Sequence, residues 1–178
     1  ADEELEKKWM SLMKKLNLNL FYFILLLLFI NISFSNGSGI KSIYGKAEVI
    51  DGDTIKIKGK KIRFFGIDAP EMDQVCFKSS NPYHCGHTAT KALIRFTKNR
   101  TIYCYYTELD KYKRILGTCN YGDGKEDINA LMVSLGYAVA YTRYSKKYLK
   151  EEENAKHNKD GLWEGTFERP EEWRKKNK

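Results

Sequence analysis

The chain begins with a stretch whose pattern differs from everything after it. Leu20–Ile30 is an unbroken apolar run, and no charged residue occurs between Lys15 and Lys41. A run of about eleven apolar residues matches the core of a secretory signal better than a membrane span, which needs about 20 residues. The pattern therefore predicts an N-terminal segment, residues 1–40, followed by a domain at residues 41–178.

The residues around the apolar run have the order of an export signal. Met13 is followed by two lysines, which supply a basic start. Ser33-Phe34-Ser35 offers small residues at the spacing that a signal peptidase reads. We therefore expect translation to begin at Met13 and the mature, secreted or periplasmic chain to begin near Asn36.

A retained membrane anchor is the alternative for this segment. Residues 31–39 are polar but uncharged, so they could lengthen the apolar run at residues 20–30 into a membrane segment. Residues 1–12 have no assigned role under either interpretation. Membrane contact is expected only through this N-terminal segment.

Beyond residue 40, short apolar stretches alternate with turn residues. Ala47–Ile57 is rich in Val and Ile, Lys61–Ile67 has a similar pattern, and Lys58-Gly59-Lys60 between them is typical of a turn. This arrangement predicts a β-hairpin. Asp68–Glu71 must leave the sheet, because Pro70 lacks the N–H donor that a strand needs.

The rest of the domain mixes strands and helices. Met72–His84 has the composition of a loop, and Thr88–Lys98 shows apolar residues at helical spacing. Short strands of this kind close most economically into a barrel, so we expect an α+β, mainly β fold: a five-stranded, OB-fold-like Greek-key barrel with about three flanking helices. The remaining predicted strands are Arg100–Tyr106 and Arg114–Tyr121, and the remaining predicted helices are Asp127–Leu135 and Ser145–Lys159.

The domain carries all of the excess positive charge. The net charge of the chain is +8, and the first fifteen residues contain four acidic residues and four lysines, which cancel. A basic domain favours polyanionic partners, either nucleic acid or an anionic membrane surface. Charge alone indicates neither the fold nor the chemistry.

The four cysteines form an even set without the CxxC spacing of a zinc site. In an exported protein they are expected to form disulfides, for which three connectivities are possible. We favour Cys76–Cys85, which would close the loop after Glu71, and Cys104–Cys119, which would join two neighbouring strands. For the second pair, two buried free thiols are the alternative.

Asp53 and Asp68 lie at the ends of neighbouring predicted strands. Their carboxylates suit a hard divalent cation, calcium or magnesium, far better than zinc. An isolated Asp-Gly-Asp is most often a turn, and Arg63 or Arg114 alone would usually be a solvated surface charge. Their occurrence together with Glu71 makes a catalytic site the better interpretation.

Three motifs in sequence order carry a resemblance to a known family. They are Asp51-Gly52-Asp53-Thr54, then Arg63–Glu71 (RFFGIDAPE), then Asp110-Lys111-Tyr112-Lys113-Arg114. Their order and spacing resemble those of the staphylococcal nuclease (thermonuclease) family. Further similarity follows at Asn129–Leu131, Gly136–Ala138, Gly161–Trp163 and Pro170–Trp173.

The resemblance implies a calcium site. Asp53 and Asp68 would bind calcium through their side chains, and Ala69 through its backbone carbonyl. The family often has threonine where this chain has Ala69, but a carbonyl ligand does not depend on the side chain. Hard-oxygen chemistry by itself would also allow magnesium.

The resemblance also implies catalytic roles. Arg63 and Arg114 would clamp the phosphate, because a planar guanidinium makes bidentate contacts that a lysine cannot reproduce. Glu71 would be the general base that deprotonates, or at least orients, the attacking water. Two guanidinium groups and a divalent ion can stabilise the charge that develops during phosphodiester cleavage.

Aromatic and basic residues near these motifs are candidates for nucleotide binding. Tyr112 and Tyr141 fall where the family contacts its nucleotide, and Lys111 is adjacent to Tyr112. Tyrosine rings beside cations can stack bases without sequence preference. Tyr144 could have the same role or could cover the edge of the core.

Together these features predict a calcium-dependent endonuclease that cleaves DNA and RNA with little base specificity. The resemblance implies products with 3′-phosphate ends, and we expect a monomer. The alternative is a non-catalytic OB-type module that binds nucleic acid or a protein. Retention of all the carboxylates and arginines favours the enzyme.

Overall fold

The computed structural model describes residues 2–30, 39–122, 124 and 126–177, and the chain falls into two units that divide after residue 38. In the first unit the structure describes helix α1, Asp2–Ile30. Among the described residues, no helix combines the length and the hydropathy of a membrane span. The predicted cleavage site at Ser33-Phe34-Ser35 and the predicted mature start at Asn36 lie outside the described residues.

The second unit contains the strands and the remaining helices. Its strands are β1 (Lys41–Gly45), β2 (Glu48–Val49), β3 (Thr54–Ile57), β4 (Lys60–Phe64), β5 (Ile67–Asp68), β6 (Val75–Lys78), β7 (Asn81–His84), β8 (Ile102–Tyr106), β9 (Ile115–Tyr121), β10 (Glu126–Asp127) and β11 (Val139–Ala140). Its helices are α2 (Cys85–Thr97), α3 (Ile128–Ser134), α4 (Leu149–Asn158), a 3₁₀ turn (Gly161–Glu164) and α5 (Pro170–Lys176).

Seven of the described strands form the main sheet, in the order β1-β8-β9-β4-β3-β2 with β10 beside β9. The pairing of β4 with β9 is parallel, and the other pairings are antiparallel. Successive residues of a strand point to opposite faces. In β8, Ile102 and Cys104 are accordingly buried, whereas Tyr105 is exposed. The buried face packs into one core that includes Ile55, Ile62, Phe64, Leu93 and Met132.

The predicted strand Ala47–Ile57 is interrupted in the structure. The N–H groups of Ile50 and Asp51 both donate to the carbonyl of Thr54, at 2.9 and 3.3 Å. The Asp51 side chain accepts from the N–H of Asp53 at 3.0 Å, the local bond that makes aspartate a turn residue. The prediction of one continuous strand is wrong here, and the turn separates β2 from β3.

Met72–His84 contains a hairpin, β6–β7, rather than the loop that its composition predicts. Ser79 and Ser80 at the turn have φ angles of 47° and 68°. Two consecutive left-handed residues give the turn whose twist matches that of the flanking strands. Serine is not the usual residue for this conformation, so the composition conceals the hairpin.

The three predicted helices are present, with shifted ends. Helix α2 begins at Cys85, earlier than its predicted start at Thr88. Helix α3 begins after Asp127, whose side chain accepts from the N–H of Ala130 at 3.1 Å and so caps the helix. Helix α4 begins at Leu149. The short helix α5 adds to those that the sequence pattern predicts.

The α+β class with a strand-rich sheet is confirmed. Strands β1 and β2 are the two ends of the sheet order among the described residues, so the closed Greek-key barrel stays a prediction. Both expected disulfides, Cys76–Cys85 and Cys104–Cys119, are present. The described part of the chain contains no free cysteine.

Candidate active site

Asp53 ties two loops together at one edge of the sheet. Asp53 directly precedes β3, and its Oδ2 accepts from the N–H of Ala69 at 2.7 Å. Asp68 ends β5, which β11 holds in place through the pairing of Asp68 with Val139. The two aspartates of the sequence motifs are therefore brought together by backbone structure.

Arg63 on β4 contacts both aspartates. Its Nη1 lies 2.9 Å from Oδ2 of Asp53, and its Nη2 lies 2.9 Å from Oδ1 of Asp68. Nη1 also donates to the carbonyls of Phe64 and Ile67, at 3.2 and 3.0 Å. With only 12% of its side chain exposed, this guanidinium has a fixed orientation between the two carboxylates.

Arg174 on α5 is a second guanidinium in the cluster, and it lies outside the sequence motifs. Its Nη1 and Nη2 lie 3.0 Å from Oδ1 and Oδ2 of Asp68, a bidentate contact. Nη1 also lies 2.7 Å from Oε1 of Glu71. Arg174 directly follows the last matched motif, Pro170–Trp173, and nothing in its spacing sets it apart from Lys175 or Lys176.

The backbone of Glu71 packs against the start of α2. Glu71 exchanges two hydrogen bonds with Gln74: its carbonyl accepts from the Gln74 N–H at 2.9 Å, and its N–H donates to Oε1 of Gln74 at 3.2 Å. Gln74 is fully buried and donates to the carbonyl of Glu168. At Gly86, an added Cβ would overlap the carbonyl of Glu71, so this close approach requires glycine.

Carboxyl groups outnumber guanidinium groups in the cluster, three to two. The carboxylates of Asp53, Asp68 and Glu71 face the guanidinium groups of Arg63 and Arg174. Burial raises the pKa of Asp53 to about 8, against the lowering effect of Arg63. Burial also raises the pKa of Asp68, although Arg174 and Arg63 oppose it. An added cation would relieve this imbalance.

The chemistry of these donors fits a divalent cation. Asp53 and Asp68 are both buried, and both contact the guanidinium of Arg63. Oxygens of the two carboxylates therefore face a common position that a single small cation could share. Carboxylate oxygens are the ligands that calcium and magnesium prefer. The described residues contain no group of three or more His, Cys, Asp or Glu side chains arranged around a metal position.

Arg114 directly precedes the neighbouring strand, β9, and contacts a different carboxylate. Its Nε is 2.7 Å from Oδ2 of Asp110, and its N–H donates to Oδ1 of the same residue. Strand β9 starts one residue later and runs parallel to β4, with Leu116 opposite Arg63. Arg114 thus lies two positions before the residue that pairs with Arg63.

The candidate nucleotide-binding residues lie in two places. Tyr112 is 68% exposed, and Lys111 and Arg114 approach its ring at 5.0 and 5.5 Å. Tyr141 is fixed by its N–H, which donates to the carbonyl of Gly66. Burial, and then the charge of Asp68, raise the pKa of the Tyr141 hydroxyl. Tyr141 therefore lies beside the carboxylate cluster.

Tyr144 contacts Tyr141 edge to face, with ring centroids 4.8 Å apart, and is itself 65% exposed. Arg143 approaches the Tyr144 ring at 5.9 Å. Tyr144 thus extends the aromatic surface that begins at Tyr141 and does not cover the core.

The comparison with family models identifies the family. The model described as staphylococcal nuclease homologue matches residues 61–165, which is more than half of the chain. The chain belongs to the staphylococcal nuclease family. The resemblance drawn from the three motifs is thereby confirmed, and the match supports a nuclease hydrolase.

Individual relatives agree with the family assignment. An uncharacterized endonuclease of Escherichia coli is 32% identical over 128 residues, which cover 68% of this chain and 77% of that protein. A micrococcal nuclease of Shigella flexneri is 30% identical over 146 residues, or 73% of this chain and 79% of the other. The succinoglycan biosynthesis protein ExoI of Rhizobium meliloti (strain 1021) is 39% identical over 124 residues, which span 68% of this chain but only 64% of ExoI.

The matched range does not include every residue of the carboxylate–arginine cluster. Arg63, Asp68 and Glu71 fall within residues 61–165, whereas Asp53 precedes this range and Arg174 follows it. The sequence motifs had signalled Asp53. Arg174 is recognised only through its contacts in the folded chain.

Proposed function

We propose that this member of the staphylococcal nuclease family is a calcium-dependent endonuclease that hydrolyses phosphodiester bonds in DNA and RNA with little base specificity and leaves 3′-phosphate ends. The observation that supports it best is the cluster in which Arg63 contacts Asp53 and Asp68 while Glu71 remains 39% exposed beside them. It combines cation ligands, a phosphate-binding group and a solvent-accessible base.

In this proposal the buried aspartates hold the cation. Asp53 and Asp68 would bind calcium through their side chains, with the backbone carbonyl of Ala69 as a further ligand. Bound calcium supplies positive charge that stabilises the developing charge on the phosphate. Arg63 and Arg114 donate hydrogen bonds to the phosphate oxygens, which gain negative charge as the water attacks.

Glu71 handles the proton of the attacking water. Its carboxylate accepts that proton as the water oxygen forms a bond to phosphorus. The bond between phosphorus and the 5′ oxygen breaks, and the leaving oxygen takes up a proton from solvent. The phosphate therefore remains on the 3′ side of the cut.

The surroundings of the site support a substrate that is recognised without base specificity. Tyr112 with Lys111, and Tyr141 with Tyr144, present aromatic faces and cations, which stack and attract any nucleotide. The net charge of +8 adds a general attraction to polyanions. We propose that the enzyme acts as a monomer.

The two disulfides suggest an extracellular or periplasmic protein. We propose that residues 1–40 form an export signal with cleavage near Asn36, and residues 41–178 the nuclease domain. A retained anchor through residues 20–30 is the alternative. N-terminal sequencing of the protein recovered from the medium or periplasm tests this, because an intact Leu20–Ile30 segment in a salt-resistant membrane fraction would establish the anchor.

A nuclease assay with a metal series tests the proposed activity. Purified protein is incubated with linear DNA or RNA in CaCl₂, MgCl₂ or EDTA, and the product ends are mapped by whether phosphatase treatment is needed before 3′ extension. We expect cleavage in calcium, loss in EDTA and a requirement for phosphatase. Retarded mobility of intact nucleic acid without cleavage would favour the non-catalytic OB-type module.

A further inference from the structure

We propose that Arg174 is a built-in competitor of the cation: it holds Asp68 and Glu71 while no cation is bound, and it leaves them when the cation binds. This inference rests on the proposed function, because it assumes that Asp68 is a cation ligand. It assigns a role to helix α5 that lies outside the range matched by the family model.

The contacts of Asp68 carry the inference. Oδ1 accepts from Arg63 at 2.9 Å and from Arg174 at 3.0 Å, and Oδ2 accepts from Arg174 at 3.0 Å. Both oxygens of this ligand are therefore engaged by guanidinium groups. A divalent cation bound to Asp68 would stand next to the charge of Arg174 and repel it.

Glu71 strengthens the competition. Nη1 of Arg174 lies 2.7 Å from Oε1 of Glu71 and 3.0 Å from Oδ1 of Asp68. One guanidinium thus bridges the cation ligand and the proposed general base. While it does so, Oε1 of Glu71 is engaged in a charge-assisted hydrogen bond and is not free to contact the attacking water.

The position of Arg174 on α5 allows its guanidinium to leave Asp68 and Glu71 without unfolding of the domain. Its side chain is 30% exposed, so the release route leads directly to solvent. Helix α5 keeps other attachments, including the buried Pro170 and the surface ion pairs of Glu171 with Arg143 and of Lys176 with Glu168. A released Arg174 therefore stays at the rim of the site, where an anionic phosphate would attract it.

Binding of calcium and docking of Arg174 must then weaken each other by the same factor. We expect Arg174→Gln to bind calcium more tightly than the wild type, on the order of tenfold. In EDTA the melting temperature of this variant should fall, because Asp68 and Glu71 lose their counter-charge. The rise in melting temperature on adding CaCl₂ should be larger than in the wild type.

Titration calorimetry with CaCl₂ on the full chain, with melting curves in CaCl₂ and in EDTA, measures these effects without an activity assay. Lys175→Gln is the matched control: it removes a positive charge from the next position of α5, where Lys175 pairs with exposed Glu172, and should leave calcium affinity unchanged. Arg174→Lys retains the charge but not the bidentate contact, so its affinity should lie between those of the wild type and Arg174→Gln.

Equal or weaker calcium binding by folded Arg174→Gln would overturn the inference. If that variant does not fold, Arg174→Lys decides, since unchanged affinity there has the same meaning. Calcium binding by Arg174→Gln but not by the wild type would support the competition strongly. If neither protein binds calcium, both the cation site and the inference fail, whereas normal wild-type binding with no response to either substitution removes the inference alone.

Discussion

Two buried carboxylate clusters of the nuclease domain contain the same kinds of side chain, but the pKa of the buried carboxylate is shifted in opposite directions. Glu152 on α4 is 3% exposed and accepts from the N–H of Ala140 at 2.7 Å, from Lys156 at 2.6 Å and from Arg169 at 3.1 and 3.2 Å. Asp68 is 1% exposed and is likewise held by guanidinium groups. Both clusters draw an arginine from the C-terminal part of the domain.

The difference lies in the balance of charge. At Glu152, burial opposes ionisation, but the hydrogen bonds from Arg169 and Lys156 overcome it and lower the pKa. At Asp68, burial prevails over its arginine partners and raises the pKa. Glu152 is a single carboxylate with two cationic partners, so it makes a stable structural contact. In the active-site cluster three carboxyl groups share two guanidinium groups, so the cluster can attract a further cation.

The two clusters are also joined in space. Glu152 and Arg169 both hold Ala140, through its N–H and its carbonyl. Ala140 belongs to β11, which pairs with β5 and so with the backbone of Asp68. The cluster at Glu152 therefore holds β11 in place, and through it the strand β5 that carries Asp68.

The largest expected effect is on turnover, in variants of the proposed catalytic residues. Glu71→Gln or Arg63→Lys should lower turnover by about 10²- to 10⁴-fold, because each change removes proton transfer or bidentate charge stabilisation that the transition state needs most. Steady-state kinetics across a calcium series measures the loss. Added calcium should not restore turnover in either variant, and Arg114→Lys should behave alike.

Arg95→Lys is the control for the arginine substitutions, because Arg95 is an exposed arginine on α2 that donates to the hydroxyl of Tyr137. It should retain near wild-type turnover. If Glu71→Gln keeps nearly full turnover at saturating calcium, the assignment of the base is wrong even though the family is right.

Removal of the balanced carboxylate should instead reduce stability. Glu152→Gln should lower the free energy of unfolding by about 2 kcal/mol, since it removes charge-assisted hydrogen bonds at a buried carboxylate, while the side chains of Lys156 and Arg169 are 46% and 40% exposed. Denaturant titration measures this loss. The turnover of the folded fraction should be unchanged, and Glu172→Gln, at an exposed ion pair, should have little effect on either quantity.

Removal of an unbalanced carboxylate should mainly affect the cation. Asp53→Ala should weaken calcium binding by about tenfold or more, equivalent to about 1.4 kcal/mol, because one anionic oxygen ligand is lost. Asp68→Ala should act in the same direction. Higher calcium should partly restore activity in both, in contrast to Glu71→Gln.

Calorimetry with CaCl₂ measures the weakened binding, with Glu164→Ala as a control that removes a half-exposed carboxylate paired with Lys78. Equal rescue by calcium of Asp53→Ala and Glu71→Gln would remove the division of roles between them.

The smallest effect is a difference in acid stability. Because the folded pKa of Glu152 is lowered, its contribution to stability is present above the unfolded pKa of about 4.3 and is lost as pH falls through the folded value. The wild type should therefore lose its advantage over Glu152→Gln as the pH falls below about 4.3. Denaturant titrations at several pH values test this, and a gap independent of pH would contradict it.

The sequence predicts those parts of the site whose signals are local. Asp53, Arg63, Asp68 and Glu71 stand in two short motifs, and the β3–β4 hairpin between them has a clear turn. Arg174 could not be predicted, because it reaches Asp68 from 106 positions along the chain and its neighbours are also basic. The same reason conceals part of the cluster at Glu152: Lys156 lies four residues away on α4, but Ala140 is on β11 and Arg169 directly precedes α5.

Fold details were missed where turn chemistry is unusual. The β6–β7 hairpin has Ser79 and Ser80 in left-handed conformations, which composition does not predict. The strand breaks at Asp51 because the Asp51 side chain accepts from a backbone N–H. The Val- and Ile-rich residues around this position are nevertheless typical of a continuous strand. In each case a local hydrogen bond or a backbone angle, not hydrophobicity, decides the structure.

The contact between Gly86 and Glu71 has a genetic consequence. Gly86 carries no functional group, yet any side chain there would press on the carbonyl of Glu71 and shift the residue that is proposed to receive the water's proton. A missense change in this codon would thus disturb the active centre, although Gly86 itself takes no part in the reaction. Surveys of inherited variation in such a gene would find that position as intolerant as Glu71, whose backbone carbonyl it approaches.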